Sequence, residues 1–449
     1  MNPKAKSASY VIVGASAAGV TAAEALRRYD AGAEIVMVSD ERVIYSRPLL
    51  SYYLAGKLDE DQLLYRPRDF FERYKIKTLF TRAVGLDTEK SQVHLQDGTT
   101  VAYDKLLLAT GSSPRFPTVE GIRQRGGVFG LRKLEEDAKA ILSWLPKAKR
   151  AVVLGGGLVG LKAAAALKER GLHVTVLVDS PHALSQMLDE SSARIFEEIF
   201  ERNGVPIRTK AKPVALLGKN NSGVEGVQLA SGEVFACDLV VVGKGVDPNL
   251  ELLEDTKLRK DYGVFVDDYL CTSIENIYAA GDVAQARDVL RGEAWINALW
   301  PCAVEQGRIA ALNMLGQETV YRGSMRQNSV QFFGVPVISA GLAVLTPGPL
   351  GGRSGEHDET LEFRPAPGIY RKIFLKDETI VGFVLVGDLP IERAGLLRIL
   401  MDRRVNVAGV KEELLEPGLD LGYLLPLIAE NREQFVEREF RELVQTVGV

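Results

Sequence analysis

A chain of 449 residues has room for about three domains, and 46% hydrophobic with 25% charged residues is a globular composition. A net charge of -4 provides no footprint for nucleic acid or for an anionic membrane surface. Cys237, Cys271 and Cys302 stand in no short paired spacing and the four histidines are scattered, which argues against a disulfide framework, a C-x-x-C redox motif and a metal-ligand cluster. The N-terminal MNPKAKSASY lacks the apolar stretch of a signal peptide, so a cytoplasmic protein is expected. The longest charge-free run, 327–352, contains Gln327, Asn328, Gln331, Pro336, Pro347 and Pro349 and reads as strands and turns, not a membrane span.

The first predicted element is an apolar strand, Tyr10–Val13, followed by the small-residue turn Gly14-Ala15-Ser16-Ala17-Ala18-Gly19. An alanine-rich helix then runs to about Tyr29, and a second strand covers Ile35–Val38. Asp40 and Glu41 follow, roughly 21 residues past Gly19, where a dinucleotide fold sets an acid against ribose hydroxyls. Gly14 makes the turn, Gly19 admits close helix packing, and the helix N-terminus offers free N–H groups to a pyrophosphate. Ser16 occupies the middle glycine position.

Further along, Lys77–Phe80, Gln92–Leu95 and Thr100–Tyr103 are strand-like, with Asp97-Gly98 as a hairpin turn. Lys105–Leu108 is a buried strand running into Ala109-Thr110-Gly111. A second strand–turn–helix–strand unit begins at Ala151 and carries Gly155, Gly157 and Gly160, with its second strand at His173–Val178. Two such units about 140 residues apart are far stronger than one. Asp238–Val242 leads to Gly243-Lys244-Gly245, and Ile277–Ala280 delivers Gly281 and Asp282 at a helix N-terminus. From about Met325 the pattern turns to hairpin strands at Ser329–Phe333, Pro336–Leu342, Tyr370–Leu375 and Thr379–Val386, then a helix at Ile391–Arg404. An amphipathic helix is expected over Leu427–Val447, docked on its own domain or on a partner subunit.

With these four motifs in this order, the chain resembles the two-dinucleotide-binding-domain flavoproteins. These include glutathione reductase, rubredoxin and ferredoxin reductases, and the flavoprotein part of NADH-dependent nitrite reductases. The likeness to the rubredoxin reductase and nitrite reductase branch rests on YSRPLLSYYLAG after the first acids and on GFVLVGD in the strand-rich C-terminal part. The implied fold class is α/β: two Rossmann-like dinucleotide-binding domains, the NAD domain (113–246) inserted in the FAD domain (1–112 and 247–325), plus a C-terminal α+β domain (326–449).

The resemblance implies FAD on the first unit, with Gly14, Ser16, Ala17, Ala18 and Gly19 at its pyrophosphate and Asp40 or Glu41 at the adenosine ribose. It puts Ala83 at the adenine, Arg47 and Pro48 beside the isoalloxazine, and Ala109, Thr110 and Gly111 over the cofactor. Arg132 would lie nearby, and Gly281 and Asp282 at the ribityl chain. It implies NAD(H) on the second unit, with Gly155, Gly157, Leu158 and Gly160 at the pyrophosphate and Gly245 on the nicotinamide side. Asp179, an acid with no arginine beside it, favours NADH over NADPH.

Three departures stand out. Arg47-Pro48-Leu49-Leu50 replaces the redox cysteines of the disulfide-reductase branches, so thiol chemistry is disfavoured; Cys302 reads as a small buried thiol in preference to a flavin neighbour. Lys162 stands where relatives carry glutamate, two residues past the last glycine of the second turn. Arg47 and Lys162, both cationic, are then the tentative catalytic residues: either they favour an anionic reduced flavin, or Lys162 turns to solvent. The expected activity is FAD-dependent NAD(P)H:acceptor oxidoreduction with hydride passing between nicotinamide and flavin. The one-electron partner is an external iron–sulfur protein of ferredoxin or rubredoxin type, either free or a subunit of a larger redox enzyme. An NADH oxidase or peroxidase and a non-catalytic flavin module are the alternatives.

Overall fold

Five parallel strands form the first sheet of the computed structural model, which describes residues 8–219, 223–342, 357–366, 368–387, 391–415 and 421–435. Their order is Ile277–Ala279, Lys105–Leu108, Ser9–Val13, Glu34–Val38 and Lys77–Leu79. The strand from the far side of the second unit thus closes the sheet begun at residue 9. Such strands are buried on both faces, which is why they read as continuous apolar runs. The helix Ala17–Tyr29 leaves the first strand directly and buries Ala18, Val20, Ala22 and Ala23. It packs against Trp300–Met314 at very short range: a Cβ on Gly307 would lie 2.2 Å from the Ala18 carbonyl oxygen.

A second five-stranded parallel sheet has the order Ile207–Arg208, His173–Leu177, Arg150–Leu154, Leu239–Val242 and Val128–Phe129. The two connections between the sheets run side by side, Ser112–Pro114 pairing antiparallel with Val246–Pro248. A short helix, Leu50–Ala55, buries Leu50 and Leu54 in the same core as Leu161 of the helix Leu158–Glu169. Arg170 Nε donates to the Leu54 carbonyl at 2.7 Å, and Lys57 pairs with Glu169 at 2.8 Å. This contact sets the second glycine-turn helix beside the Arg47 segment.

The third sheet is antiparallel: Gln327–Phe332, Val335–Gly341, Thr379–Val386, Ile369–Lys376 and Glu359–Ala366. Both of its faces are covered. Tyr370, Phe374, Val384 and Val386 pack toward the second sheet's core, while Ile373, Leu375, Phe383 and Leu385 face Leu397, Leu400 and Met401 of the helix Ile391–Asp402. The alternation of Cβ atoms along a strand divides the residues this way.

Here the structure departs from the sequence pattern in three places. Glu359–Ala366 is an edge strand whose charges and Pro365 mask its alternation, as edge strands commonly do. The helix from Ile391 stops at Asp402, and Arg404 takes a left-handed φ of 50°. The expected helix Leu427–Val447 instead begins at Leu421 and ends at Glu430; Asn431 leaves helical geometry, a single turn spans Arg432–Gln434, and Phe435 is extended. Positions 436–447 of that expected helix lie outside the described residues. Among the described residues no helix is long and apolar enough to cross a membrane.

Candidate functional site

The first turn works only with glycine at its two ends. Gly14 has φ +116°, and a Cβ there would sit 2.0 Å from the Ala109 carbonyl oxygen; a Cβ on Gly19 would sit 1.9 Å from the Gly14 oxygen. Ser16 is the extended N-cap residue, makes no capping bond with its side chain, and accepts a hydrogen bond from Arg47 Nε at 3.3 Å. The first intrahelical bond is Val20 N–H to the Ser16 carbonyl, so the N–H groups of Ala17, Ala18 and Gly19 precede the ladder and can meet an anion.

That helix start opens on a cavity of about 1470 Å3. It exceeds the roughly 300–1,000 Å3 of an ordinary small-molecule site and has room for a dinucleotide. Gly14, Ser16, Ala17 and Ala18 line it, as do Asp40, Glu41 and Ala83 toward one side. Arg47, Pro48, Ala109, Thr110, Gly111 and Arg132 line it further along, with Gly281 and Asp282. Gly19 supports the turn from behind. Leu158 and Lys162, from the start of the second glycine-turn helix, line the same cavity.

The charged side chains are tied in distinct sets. Arg47 pairs with Glu41, donates to the Arg132 carbonyl at 2.8 Å and reaches the Tyr45 hydroxyl at 3.2 Å. Tyr45 in turn donates to Glu41 and accepts from the Leu134 N–H at 2.9 Å. Burial alone would lower the Arg47 guanidinium, but Glu41 outweighs it and holds the group above its ordinary value; burial pushes the Tyr45 hydroxyl well up. Glu41 is thereby committed to Arg47 and Tyr45, whereas Asp40 is paired with Lys133 at 2.9 Å and is the more exposed of the two acids. Asp282 accepts from Arg132 at 2.6 Å and from the Ser112 hydroxyl at 2.7 Å. The Thr110–Gly111 turn is pinned by Asn249, whose amide donates to the Thr110 carbonyl at 2.8 Å.

Lys162 is different. It faces the cavity half-buried, its Nζ 5.6 Å from the Tyr52 ring centroid, and no described carboxylate pairs with it. Burial alone lowers its ammonium pKa. Of the two cations anticipated beside the flavin, Arg47 has a counterion and Lys162 has none among the described residues.

The second turn repeats the first. Gly155 has φ +111° and its Cβ would meet the Gly243 oxygen at 2.5 Å; a Cβ on Gly160 would meet the Gly155 oxygen at 2.3 Å. Gly157 is the helix N-cap. Gly245, φ +88°, accepts at its carbonyl from the Arg115 N–H at 2.9 Å, and Asp179 is ion-paired with Lys244. These five residues lie beyond the lining of the large cavity.

Several lining residues escape the sequence patterns. Gln327, Asn328, Phe383 and Arg398 come from the C-terminal sheet and its helix, and no local signal marks them. Ser112 could have been found, since it directly follows the Thr110-Gly111 turn. Cys302 is buried and is not a lining residue although Trp300, Pro301 and Ala303 are; burial raises its thiol pKa, which keeps it protonated.

The profile of the family described as pyridine nucleotide-disulphide oxidoreductase matches residues 8–307. The chain is 33% identical over 418 residues to the NADH-dependent phenylglyoxylate dehydrogenase subunit epsilon of Aromatoleum evansii, covering 92% of this chain and 96% of that one. It is 38% identical over 312 residues to the rubredoxin-NAD(+) reductase of Ectopseudomonas oleovorans, covering 69% of this chain and 80% of the relative. Among solved structures, putidaredoxin reductase in its covalent complex with putidaredoxin superposes with a TM-score of 0.82 at 27% identity, over 95% of this chain and 99% of the other.

Proposed function

We propose that this chain, which belongs to the pyridine nucleotide-disulphide oxidoreductase family, exchanges hydride with a nicotinamide and single electrons with an iron–sulfur protein. It is an FAD-dependent NAD(P)H oxidoreductase, with FAD and NAD(H) as its cofactors. The observation that carries the reading is the shared cavity: Arg47 and Asp282 of the first unit and Leu158 and Lys162 of the second line one space. A cofactor held on the first turn and a nucleotide held on the second would meet there.

The residues fit the group. The N-terminal N–H groups at Ala17 and Ala18 would hold the FAD pyrophosphate, Asp40 the adenosine ribose, and Asp282, oriented by Arg132 and Ser112, the ribityl hydroxyls. The flavin, when bound, supplies the passage from two-electron to one-electron chemistry. The chain's own residues position and tune. Arg47 is locked by Glu41 and Tyr45, the Thr110–Gly111 turn is pinned by Asn249, and Phe383 and Arg398 of the C-terminal part line the same cavity.

Among the described residues no thiol lines the cavity, which supports an electron acceptor other than a cysteine pair of this chain. Relatives named for rubredoxin and ferredoxin support an iron–sulfur carrier. The relative matched over nearly its full length is itself one subunit of a dehydrogenase, which supports a carrier held within an assembly. A cytoplasmic setting, where reduced nicotinamide is supplied, suits three free thiols.

Anaerobic titration with NADH and with NADPH, each followed by oxidised ferredoxin or rubredoxin, is the test. Flavin bleaching by NADH followed by recovery on adding the carrier is expected. Bleaching that recovers only with O2 would point to an oxidase, and no bleaching by either nicotinamide would overturn the reading.

A further inference from the structure

Lys244 stands between two glycines at the mouth of the second nucleotide site. Its backbone neighbour Gly243 packs on Gly160 so closely that a Cβ on Gly243 would lie 2.5 Å from the Gly160 Cα. From there the lysine stem crosses the first glycine of the turn: a Cβ on Gly155 would lie 3.2 Å from Lys244 Cγ. The ammonium ends on Asp179, just past the second strand. Lys244 is only 14% exposed whereas Asp179 is 45% exposed, so the lysine is the fixed partner and the acid is the one open to a ligand.

The surroundings of Asp179 add to this. Val178 N–H donates to the Arg208 carbonyl at 2.8 Å, and Lys210 N–H to the Ser180 carbonyl at 3.1 Å. Two exposed cations therefore stand on the segment hydrogen-bonded to the acid's own loop. An acid at this place selects NADH because it binds the ribose 2′-hydroxyl and repels a 2′-phosphate. Here the acid is already paired with a lysine, and two further cationic residues stand on the segment hydrogen-bonded to its loop.

Resting on the hydride-transfer reading above, we infer that Lys244 sets nucleotide selectivity by compensating Asp179, so that the site takes a 2′-phosphorylated nicotinamide nucleotide as well as NADH. With NADPH bound, the Lys244 ammonium stays beside Asp179 and offsets that acid's repulsion of the phosphate; with NADH bound it holds the acid against the ribose. One lysine thus serves either ligand, and the selectivity ratio depends on its charge.

The test measures dissociation constants of NADH and NADPH by equilibrium titration of the FAD-loaded protein, alongside anaerobic flavin reduction by each. Lys244→Met is expected to raise the ratio Kd(NADPH)/Kd(NADH) at least tenfold, Asp179→Asn to lower it, and Lys244→Arg to leave it within about threefold. FAD content of each variant reports folding, and Lys244→Gln carries the test if Lys244→Met is unstable. A ratio unmoved by the charge-removing Lys244 variant would overturn the assignment while NADH still bleached the flavin. Failure of both nucleotides to bleach it would instead count against the hydride-transfer reading.

Discussion

Lys162 carries a buried positive charge without a described counterion, and this has thermodynamic weight. Its ammonium is held below the usual lysine range by burial, so the folded chain pays for protonation at low pH and is relieved as pH rises through that lowered value. A reduced flavin bearing negative charge nearby would be the missing counterion and would reverse the cost. Lys162→Glu is therefore expected to lower the flavin midpoint potential by about 30 mV or more, roughly 1.4 kcal/mol for two electrons. Spectroelectrochemical titration reads it directly, and an unchanged potential would remove the electrostatic role. The anomaly itself was legible in the sequence as a cation in a position where the family resemblance implies glutamate. What the sequence could not reveal was the asymmetry between Lys162 and Arg47, because Glu41 reads there as a ribose ligand and its pairing depends on a tertiary contact.

Among the elements, the crossing of Ala17–Tyr29 and Trp300–Met314 decides whether the first turn keeps its shape. Gly307 permits the approach, and any side chain there would press on the Ala18 backbone that opens the cavity. Gly307→Ala should cost about 1–3 kcal/mol by overpacking and weaken FAD retention together with stability. Thermal unfolding with released-flavin fluorescence would show both; a variant losing neither would mean that the helices slide freely. The first of these helices was readable, since both strand–turn–helix units and the strand before Asp282 follow from apolar runs ending in small residues, but Trp300–Met314 was not among the expected elements. The C-terminal part was harder. Its edge strand at Glu359–Ala366 is charged, and the contribution of Phe383 and Arg398 to the cavity arises from packing between segments far apart in the chain.

For the whole molecule, the second sheet's helix Glu190–Arg202 is fastened to the C-terminal sheet. Phe196 and Phe200 lie 5.1 and 5.3 Å from Phe332, and Asp189 pairs with Lys372. Burial would raise the Asp189 carboxyl, but hydrogen bonds from Lys372 and Ser192 prevail and hold it low; burial would lower Lys372, but Asp189 prevails and holds it high. The acid's depressed value preserves its contribution above about pH 4, to be lost as pH falls through that value. The lysine's raised value preserves its own below about pH 10.4, to be lost as pH climbs through it. Asp189→Asn keeps the helix cap while removing the charge, and should cost about 1–3 kcal/mol by leaving Lys372 short of its partner. Hydrogen exchange is expected to quicken in both Glu190–Arg202 and Gln327–Phe332, and quickening in neither would show the pair to be idle.

That fastening, with the packing of Leu50 and Leu54 on Leu161 at the other side, grips the nucleotide unit at two flanks. The spacing between the two glycine turns is then set by packing as the chain folds, and a hinge between the units would have to break contacts on both sides before it could open.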